Sequence, residues 1–493
     1  MPDNPATKPY PVTRRAFGLA ILVLSGLQLM VVLDGTVVIL ALPRLQDELA
    51  LSSFGSAWMV TAYGLPFAGL MLLGGRIGDS FGRKHMFIVG VALFTSASLL
   101  CGIAQNEGML IAARAIQGTG AALAAPTALA LVATTFAPGR VRNQAIAIFG
   151  SMMAVGSVGG LVIGGALTEV SWRWIFLINV PIGALILLGA VLRLRETAHH
   201  RLSLDVRGAV LGTLACVSLV FGATEGPEIG WDSPVIIGSI VAGLVLLIVF
   251  VFAERWVDNP LLPWSLFDKR DRVTTFGAIF LASAVFAATT YFAGLFVQNV
   301  VGYSPLVAGV AFIPFTIAAG IGTAAASRLA MTVAPRWLLS GAAATLVIGL
   351  LFGSKLEREV SYWPTLALLF IVIGFGIGVA VVIVPLCIVV GVAPQNIGPL
   401  AAVGQMFMNL GTPFAIGLLA PVAASRTLAL GGRTGKPIDM TPAELDALGS
   451  GYTLVLLITA VGALVVGLVA LTLRYTAAEV GQAQHAREEA ELG

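Results

Sequence analysis

The stretch "RRAFGLAILVLSGLQLMVVLDGTVVILALP", residues 14–43, decides the fold. Two arginines precede an apolar run of about 26 residues that ends at Leu42, and about 20 apolar residues are enough to cross a bilayer as a helix. The run is too long for the core of a cleaved signal peptide, and no A-x-A cleavage site follows it. We therefore expect residues 17–42 to form an uncleaved first membrane span.

The composition of the whole chain agrees with a membrane protein. Of its 493 residues, 58% are hydrophobic and 11% are charged, whereas a soluble chain carries about 25% charged residues. Because the chain is so hydrophobic, we expect membrane lipids as partners. The net charge of +3 forms no basic stripe, so we expect no nucleic acid as a partner. The histidines and cysteines lack the spacing of a metal site, and no G-x-x-x-x-G-K-[ST] loop is present, so no metal or other cofactor is expected.

Polar breaks divide the chain into fourteen candidate spans, which form an all-α polytopic protein. Their approximate bounds are 17–42, 54–76, 86–104, 108–135, 144–168, 174–192, 208–224, 235–253, 274–298, 305–327, 337–353, 364–391, 395–424 and 452–473. With the N-terminus inside, the inner connections hold 20 of the 28 Lys and Arg residues and the outer ones hold 7. This bias is typical of cytoplasmic connections and predicts that both termini are cytoplasmic.

A weak internal repeat suggests how the spans are grouped. The connection "GRIGDSFGRKHM" after span two aligns without a gap with "SRLAMTVAPRWL". Two parallel six-helix bundles with two additional central helices would explain this match. We expect a cytoplasmic tail at 1–16, a first bundle at 17–192, a linker with two helices at 193–273, a second bundle at 274–473 and a cytoplasmic tail at 474–493.

Two charges stand inside predicted spans, Asp34 in span one and Arg114 in span four. At 1.5 Å per residue both lie at a similar depth, roughly 9 to 12 Å from the outer ends of their helices. Each could be solvated separately in a water-filled cavity, or the arginine could snorkel to the surface. The sharper hypothesis couples them across the central cavity in at least one conformation, with Gln117 on the same face as Arg114. A changing separation would then let Asp34 load and release a proton.

Five stretches resemble motifs of the major facilitator superfamily, and in particular its fourteen-span drug:proton antiporter family. Together they cover nearly the whole chain in order: "LDGTVVILALP", "GGRIGDSFGRKHMF", "RAIQGTGAA", "GSVGGLVIGG" with "WRWIFLINVPIG", and "FVQNVVGYSPLVAG". The resemblance implies a major facilitator fold and proton-coupled export by alternating access from a bacterial cytoplasmic membrane.

The resemblance also implies a conformational latch in the loop after span two. Its residues would be Gly75, Asp79, Gly82, Arg83 and Lys84, with Asp79 facing a helix N-terminus or an arginine of the other half. An ordinary turn with positive-inside charges is the simpler interpretation of the same residues.

Glycines recur every four residues in span five, at Gly156, Gly160 and Gly164, and permit a close helix crossing. The family's motif usually has a proline after the middle glycine, where this chain has Leu161. The departure weakens the support that this motif gives to proton coupling.

A substrate cavity would lie between the bundles. Candidate lining residues are Gln28, Tyr63, Gln117, Phe292, Phe296, Gln298, Gln405, Met406 and Asn409. Since the second half has no acid or base in mid-span, large apolar or cationic substrates are favoured over polyanions. The alternatives are a dedicated exporter of an endogenous metabolite or lipid-like product, and a lipid flippase without proton coupling. No nucleophile or metal constellation points to an enzyme.

Overall fold

Fourteen helical spans build the protein, as the computed structural model shows. The structure describes residues 14–49, 51, 53–136, 140–196, 205–257, 270–390, 394–433 and 437–479. Within them, fourteen helices are long and apolar enough to cross a membrane, which confirms the predicted number. Since this number is even, the first span begins and the last span ends on the same side of the molecule. We call that side the terminal face and the opposite side the far face.

Sixteen α-helices make up these spans in the described residues. They are α1 Arg14–Leu49, α2 Ser53–Phe81, α3 Arg83–Gly102, α4 Glu107–Thr135, α5 Arg140–Val170, α6 Arg173–Leu177, α7 Asn179–Arg193, α8 Val206–Ile229, α9 Pro234–Ala253, α10 Arg270–Leu295, α11 Pro305–Ala311, α12 Ile313–Leu329, α13 Pro335–Gly353, α14 Ala367–Val389, α15 Pro394–Ala429 and α16 Pro442–Leu471. Short π-helical turns at Phe296–Val300 and Tyr362–Leu366 extend α10 and precede α14. The pairs α6–α7 and α11–α12 each form one span.

Several boundaries differ from the predicted ones for local reasons. Helix α1 runs through Pro43 to Leu49, because a membrane helix tolerates an interior proline where neighbouring groups satisfy the freed backbone. Helix α16 begins ten residues before the predicted 452, at a capping box of Thr441 and Glu444 with Pro442 in the first turn. The span predicted at 305–327 is interrupted at Phe312.

In the first half, α2 and α3 pack against α4, and α5 and α7 pack against α1. Gly156, Gly160 and Gly164 of α5 lie against Val32, Thr36 and Val37 of α1, and a Cβ on Gly160 would collide with the Thr36 hydroxyl. Since lipid tails are as apolar as these side chains, close van der Waals packing is the main force that holds two such helices together. The glycine spacing therefore fixes how α1, which carries Asp34, sits against α5.

Of the two additional helices, α8 packs against the seam between α2 and α15, and α9 packs against α8. Thr213 of α8 lies on Gly69 of α2. At the other end of α8, the Thr224 hydroxyl lies 3.2 Å from the Gly417 carbonyl oxygen of α15. Helix α8 therefore contacts both halves of the molecule.

Contacts between the halves close the far face. Leu40, Leu42 and Ala57 of the first half share one buried cluster with Phe292 of α10. The Glu169 carboxylate at the end of α5 accepts a hydrogen bond from the Leu306 backbone N–H, at 3.4 Å, and lies 3.6 Å from the Arg44 guanidinium. The structure thus represents a state in which the far ends of the two halves are in contact.

Replacing Gly160 with leucine should destabilise the protein, because the added side chain overlaps Thr36 and overpacking costs about 1 to 3 kcal/mol. Gly150→Leu on the same helix is the matched control, since Gly150 is exposed and nothing lies within 4 Å of a Cβ at that position. Thermal unfolding followed by fluorescence-detected size-exclusion chromatography compares the two. Equal unfolding temperatures for both variants would show that the α1–α5 contact is not close-packed.

Candidate functional site

Asp34 lies at the centre of a buried polar network between α1, α4 and α7. Its Oδ2 accepts a hydrogen bond from Arg114 Nη1 at 2.6 Å, and its Oδ1 accepts from Gln117 Nε2 at 2.8 Å and from Asn179 Nδ2 at 3.0 Å. The Asp34 and Arg114 residues are each 1% exposed, and Gln117 and Asn179 are fully buried. The two charges that the sequence placed at similar depth are therefore in direct contact.

The Arg114 guanidinium is held on several sides. Its Nε donates to the Met59 carbonyl oxygen at 3.0 Å, and its Nη1 also donates to Gln117 Oε1 at 2.7 Å. Its Cζ lies 4.4 Å from the centre of the Tyr63 ring and 5.8 Å from that of Phe176, and a cation over an aromatic face is attracted by the ring quadrupole. The cation is thus fixed by groups from α2, α4 and α6.

This arrangement has a definite electrostatic consequence. Burying one ion without a partner costs several kcal/mol, about 3 to 5 kcal/mol when one member of a buried pair is removed. The Asp34–Arg114 pair is neutral as a unit, so it can remain in a dry interior. Protonating Asp34 in place would leave Arg114 uncompensated. Uptake of a proton therefore requires that the pair separates or that water reaches it.

Two members of the network were missed by sequence reasoning. Ser98 of α3 accepts from Gln117 Nε2 at 2.8 Å, and Asn179 contacts Asp34 directly. Asn179 stands in the quoted motif "WRWIFLINVPIG", where an amide inside an apolar run could have signalled a buried contact. Two polar atoms nearby, the Tyr63 hydroxyl and Asn179 Oδ1, have no hydrogen-bond partner in the structure.

The predicted latch residues lie at the terminal face, between α2 and α3. Arg83 Nε donates to Asp79 Oδ1 at 2.7 Å, so in this state Asp79 pairs within its own half. Gly82 has a φ of 103°, a conformation that favours glycine. Gly75 lies beside Pro126 of α4.

A carboxylate that was not predicted organises the rest of the latch loop. Glu196, beyond the end of α7, accepts hydrogen bonds from the backbone N–H groups of Lys84 and His85, each at 3.0 Å. The Lys84 ammonium donates to the Val191 carbonyl oxygen at 3.2 Å. Glu196 therefore caps the N-terminus of α3, where a negative charge is favoured.

The predicted cavity residues occupy three kinds of environment. Gln117 and Tyr63 belong to the Asp34 network and are buried, so they do not border open space in this state. Phe292 and Phe296 are buried in the large cluster of the second half, Met406 is buried, and the Gln298 amide donates to the Gly294 carbonyl oxygen of its own helix. Gln28 and Asn409 are partly exposed and Gln405 is exposed.

One stripe of α1 indicates where the halves separate. Ile39 packs next to Gly294 of the second half. Gly35 and Gln28 lie on the same stripe of the helix, nearer the terminal face, and are exposed and partly exposed. Asn409 of α15 donates to the Met71 sulfur of α2 at 3.6 Å. Gly35 is therefore accessible on the terminal side of Ile39, while α2 and α15 are in contact at Met71 and Asn409.

Comparisons with known proteins place these observations in a family. The family model of the Major Facilitator Superfamily matches residues 24–416. The chain is 48% identical over 480 residues to the uncharacterized MFS-type transporter EfpA of Mycobacterium tuberculosis, covering 97% of this chain and 91% of that protein. It is 36% identical over 473 residues to the puromycin resistance protein pur8 of Streptomyces alboniger, covering 94% and 93%.

Among solved structures, the fold is similar to that of a bacterial homologue of the human lysosomal transporter Spinster in an inward-facing, unoccupied conformation. The TM-score is 0.69 at 15% identity, covering 96% of this chain and 99% of that chain. This likeness shows the helical fold. With the family match and the fourteen spans, it leads to one conclusion: the chain belongs to the Major Facilitator Superfamily and is a multi-pass secondary transporter related to drug-resistance exporters.

Proposed function

We propose that the protein is a proton-coupled exporter of hydrophobic or cationic compounds, which works by alternating access in a bacterial cytoplasmic membrane. The observation that carries this proposal is the buried Asp34–Arg114 ion pair, 2.6 Å apart in a transmembrane bundle. An intramembrane ionisable pair is costly and marks ion pathways and proton relays. The puromycin resistance protein among the relatives supports drug export.

The position of α1 supports a coupling role for this pair. One side of α1 packs on the glycines of α5, while Leu40 and Leu42 join the buried cluster of the second half. Rocking of the halves would therefore act on the helix that carries Asp34. In the state described here the far face is closed and the ion pair is intact.

The proposed cycle uses these contacts. Opening of the far face draws Leu40 and Leu42 away from the second half, and water then reaches Asp34 and delivers a proton. Return to the far-closed state brings Arg114 back against Asp34 and displaces the proton toward the terminal face. Substrate moves in the opposite direction, from the cleft beside Gln28 and Gly35 to the far face.

Asp79 and the loop around it supply the second element of the proposal. In the far-closed state Asp79 pairs with Arg83. When the terminal face closes, Asp79 would engage a helix N-terminus or an arginine of the second half and stabilise that state. Contacts of this type contribute about 0.3 to 2 kcal/mol, which is enough to change the ratio of two states several-fold.

A dedicated exporter of one metabolite is the second candidate, and one observation favours it. Among the described residues of α10–α16, no buried side chain is charged, whereas the first half buries Asp34 and Arg114. A half without charge suits a defined, uncharged product as well as a range of drugs. The substitution of Leu161 for the usual motif proline is consistent with a specialised member of the family.

Asp34→Asn should abolish accumulation driven by a pH gradient, because the amide cannot carry a proton. The measurement is uptake of ethidium and of uncharged chloramphenicol into inverted vesicles, with Asp446→Asn, an exposed carboxylate on α16, as the matched control. If the variant accumulates neither substrate, the result supports the proton-carrier role. If it fails to accumulate ethidium alone, Asp34 is instead a counter-charge for cationic substrates. Unchanged dependence on the pH gradient would contradict both roles.

Arg114→Gln should destabilise the protein by about 3 to 5 kcal/mol, because it leaves Asp34 charged and unpaired in the interior. Adding Asp34→Asn should recover part of that loss, since no isolated ion remains. Thermal unfolding of the two single variants and the double variant in lipid nanodiscs measures this. If the loss of stability in the double variant equals the sum of the losses in the two single variants, the two side chains do not interact.

Asp79→Asn should reduce the rate of ethidium export several-fold while the protein still inserts and folds. The terminal-closed state loses the proposed contact with the second half, whereas the far-closed state loses only the partly exposed pair with Arg83, and such pairs contribute little. Surface-exposed Glu359→Gln is the control, as it lies in the far-face connection after α13. Transport at the wild-type rate by an Asp79→Asn protein of normal abundance would exclude the latch.

A further inference from the structure

A small cavity lies between the two halves near the far face, apart from the Asp34 network. Its volume is about 50 Å³, which is room for a group of a few heavy atoms, since one water occupies about 10 to 15 Å³ on this scale. Gln46 of α1 and Ser56 of α2 line it from the first half. Tyr291 of α10 and Tyr452 of α16 line it from the second half.

The polar groups of this cavity are uncharged and arranged by their own hydrogen bonds. Gln46 Nε2 donates to Ser56 Oγ at 2.8 Å, and Gln46 Oε1 has no hydrogen-bond partner. The Tyr452 hydroxyl accepts from Asn299 Nδ2 at 3.2 Å, so its own hydrogen is available for donation. The residues that border the cavity therefore include a hydroxyl donor of the second half and an amide of the first half whose oxygen is buried and unpaired.

The position of Asn299 depends on an irregular turn. Residues Phe296–Val300 form a π-helical turn at the end of α10, and such turns frequently occur at functional sites. Asn299 is 5% exposed, and its Oδ1 has no partner. A buried, unpaired amide oxygen is costly, so its retention indicates that orienting the Tyr452 hydroxyl has a function.

Aromatic rings form the apolar part of the cavity wall. The Phe292 ring centre lies 5.0 Å from that of Tyr291 and 6.1 Å from that of Tyr452. No lining residue is charged. A protonated amine has donors only and would lose its hydration without a counter-charge. A hydroxyl or an amide can accept from Tyr452, and it can donate to the unpaired oxygen of Gln46 when that side chain turns its oxygen toward the cavity.

We propose that this cavity is a second substrate subsite, which takes the uncharged hydroxyl or amide end of a substrate, while the aromatic or apolar body of that substrate, too large for the cavity, lies outside it along the seam between the halves. The assignment rests on the proposed export function and specifies which substrates it favours. Because Gln46 and Tyr452 belong to different halves, the bound group bridges the closed far face. Opening of that face separates the donor from the acceptor and releases the group outward.

Equilibrium binding to the protein in lipid nanodiscs tests the subsite with three tritiated probes of one shape: 2-naphthalenemethanol, 2-naphthylmethylamine and 2-ethylnaphthalene. Protein-free nanodiscs correct for partition into lipid. The alcohol should bind roughly five- to tenfold more tightly than either analogue, as expected for about one net hydrogen bond. Equal affinity for the three probes would overturn the proposal.

Two variants locate the binding. Tyr452→Phe and, independently, Gln46→Leu should each lower the affinity for the alcohol by roughly five- to tenfold and leave that for 2-ethylnaphthalene unchanged. Tyr362→Phe is the matched control, because its hydroxyl lies 3.3 Å from the Ala311 carbonyl oxygen outside the cavity. Wild-type affinity in both test variants would refute the subsite. Equilibrium binding needs no proton gradient. The subsite can therefore be refuted or supported whether or not transport proves to be proton-coupled.

Discussion

The contact between Asp34 and Arg114 is the constraint on which the rest of the first half depends. A carboxylate and a guanidinium 2.6 Å apart and almost fully buried are tolerated only while they remain together. Around them, Gln117, Asn179 and the Met59 carbonyl oxygen make further hydrogen bonds to the pair, and Ser98 accepts one from Gln117. The interhelical distances of α1, α2, α3, α4 and α7 are thereby fixed at one depth.

Helix α1 transmits this constraint to the second half. Toward α5 it is held by close contact with three glycines, and toward α10 it contributes Leu40 and Leu42 to the buried cluster. A packed interface of this kind has discrete arrangements and does not deform continuously. The same helix therefore responds to the separation of the halves and carries the group whose environment must change.

Much of the fold follows from the sequence because the bilayer imposes it. The length of the run at 17–42 and the count of fourteen spans depend on hydrocarbon thickness, and the glycine spacing in α5 follows from helix geometry. The meeting of Asp34 and Arg114 could be anticipated from depth alone. Glu196 could not, since it caps α3 from 112 residues away. The π-helical turn that places Asn299 has no local sequence signal either.

The two halves differ in the kind of polarity that they bury. Among the described residues, the first half buries the ion pair, whereas the second half buries the amides Gln298 and Asn299 beside Tyr291 and Tyr452. Charge pairs respond strongly to water and to separation, because their energy depends on the local dielectric. Neutral hydrogen-bond donors and acceptors can also discriminate between ligands, and burying them costs less free energy than burying charges. In the proposed mechanism, the ion pair senses protons and the subsite near Gln46 and Tyr452 selects the substrate, so a bound substrate does not contact Asp34. Since the far-face contacts of α1 and α2 join the two halves, the proposal implies that release of the substrate and exposure of Asp34 occur in one movement.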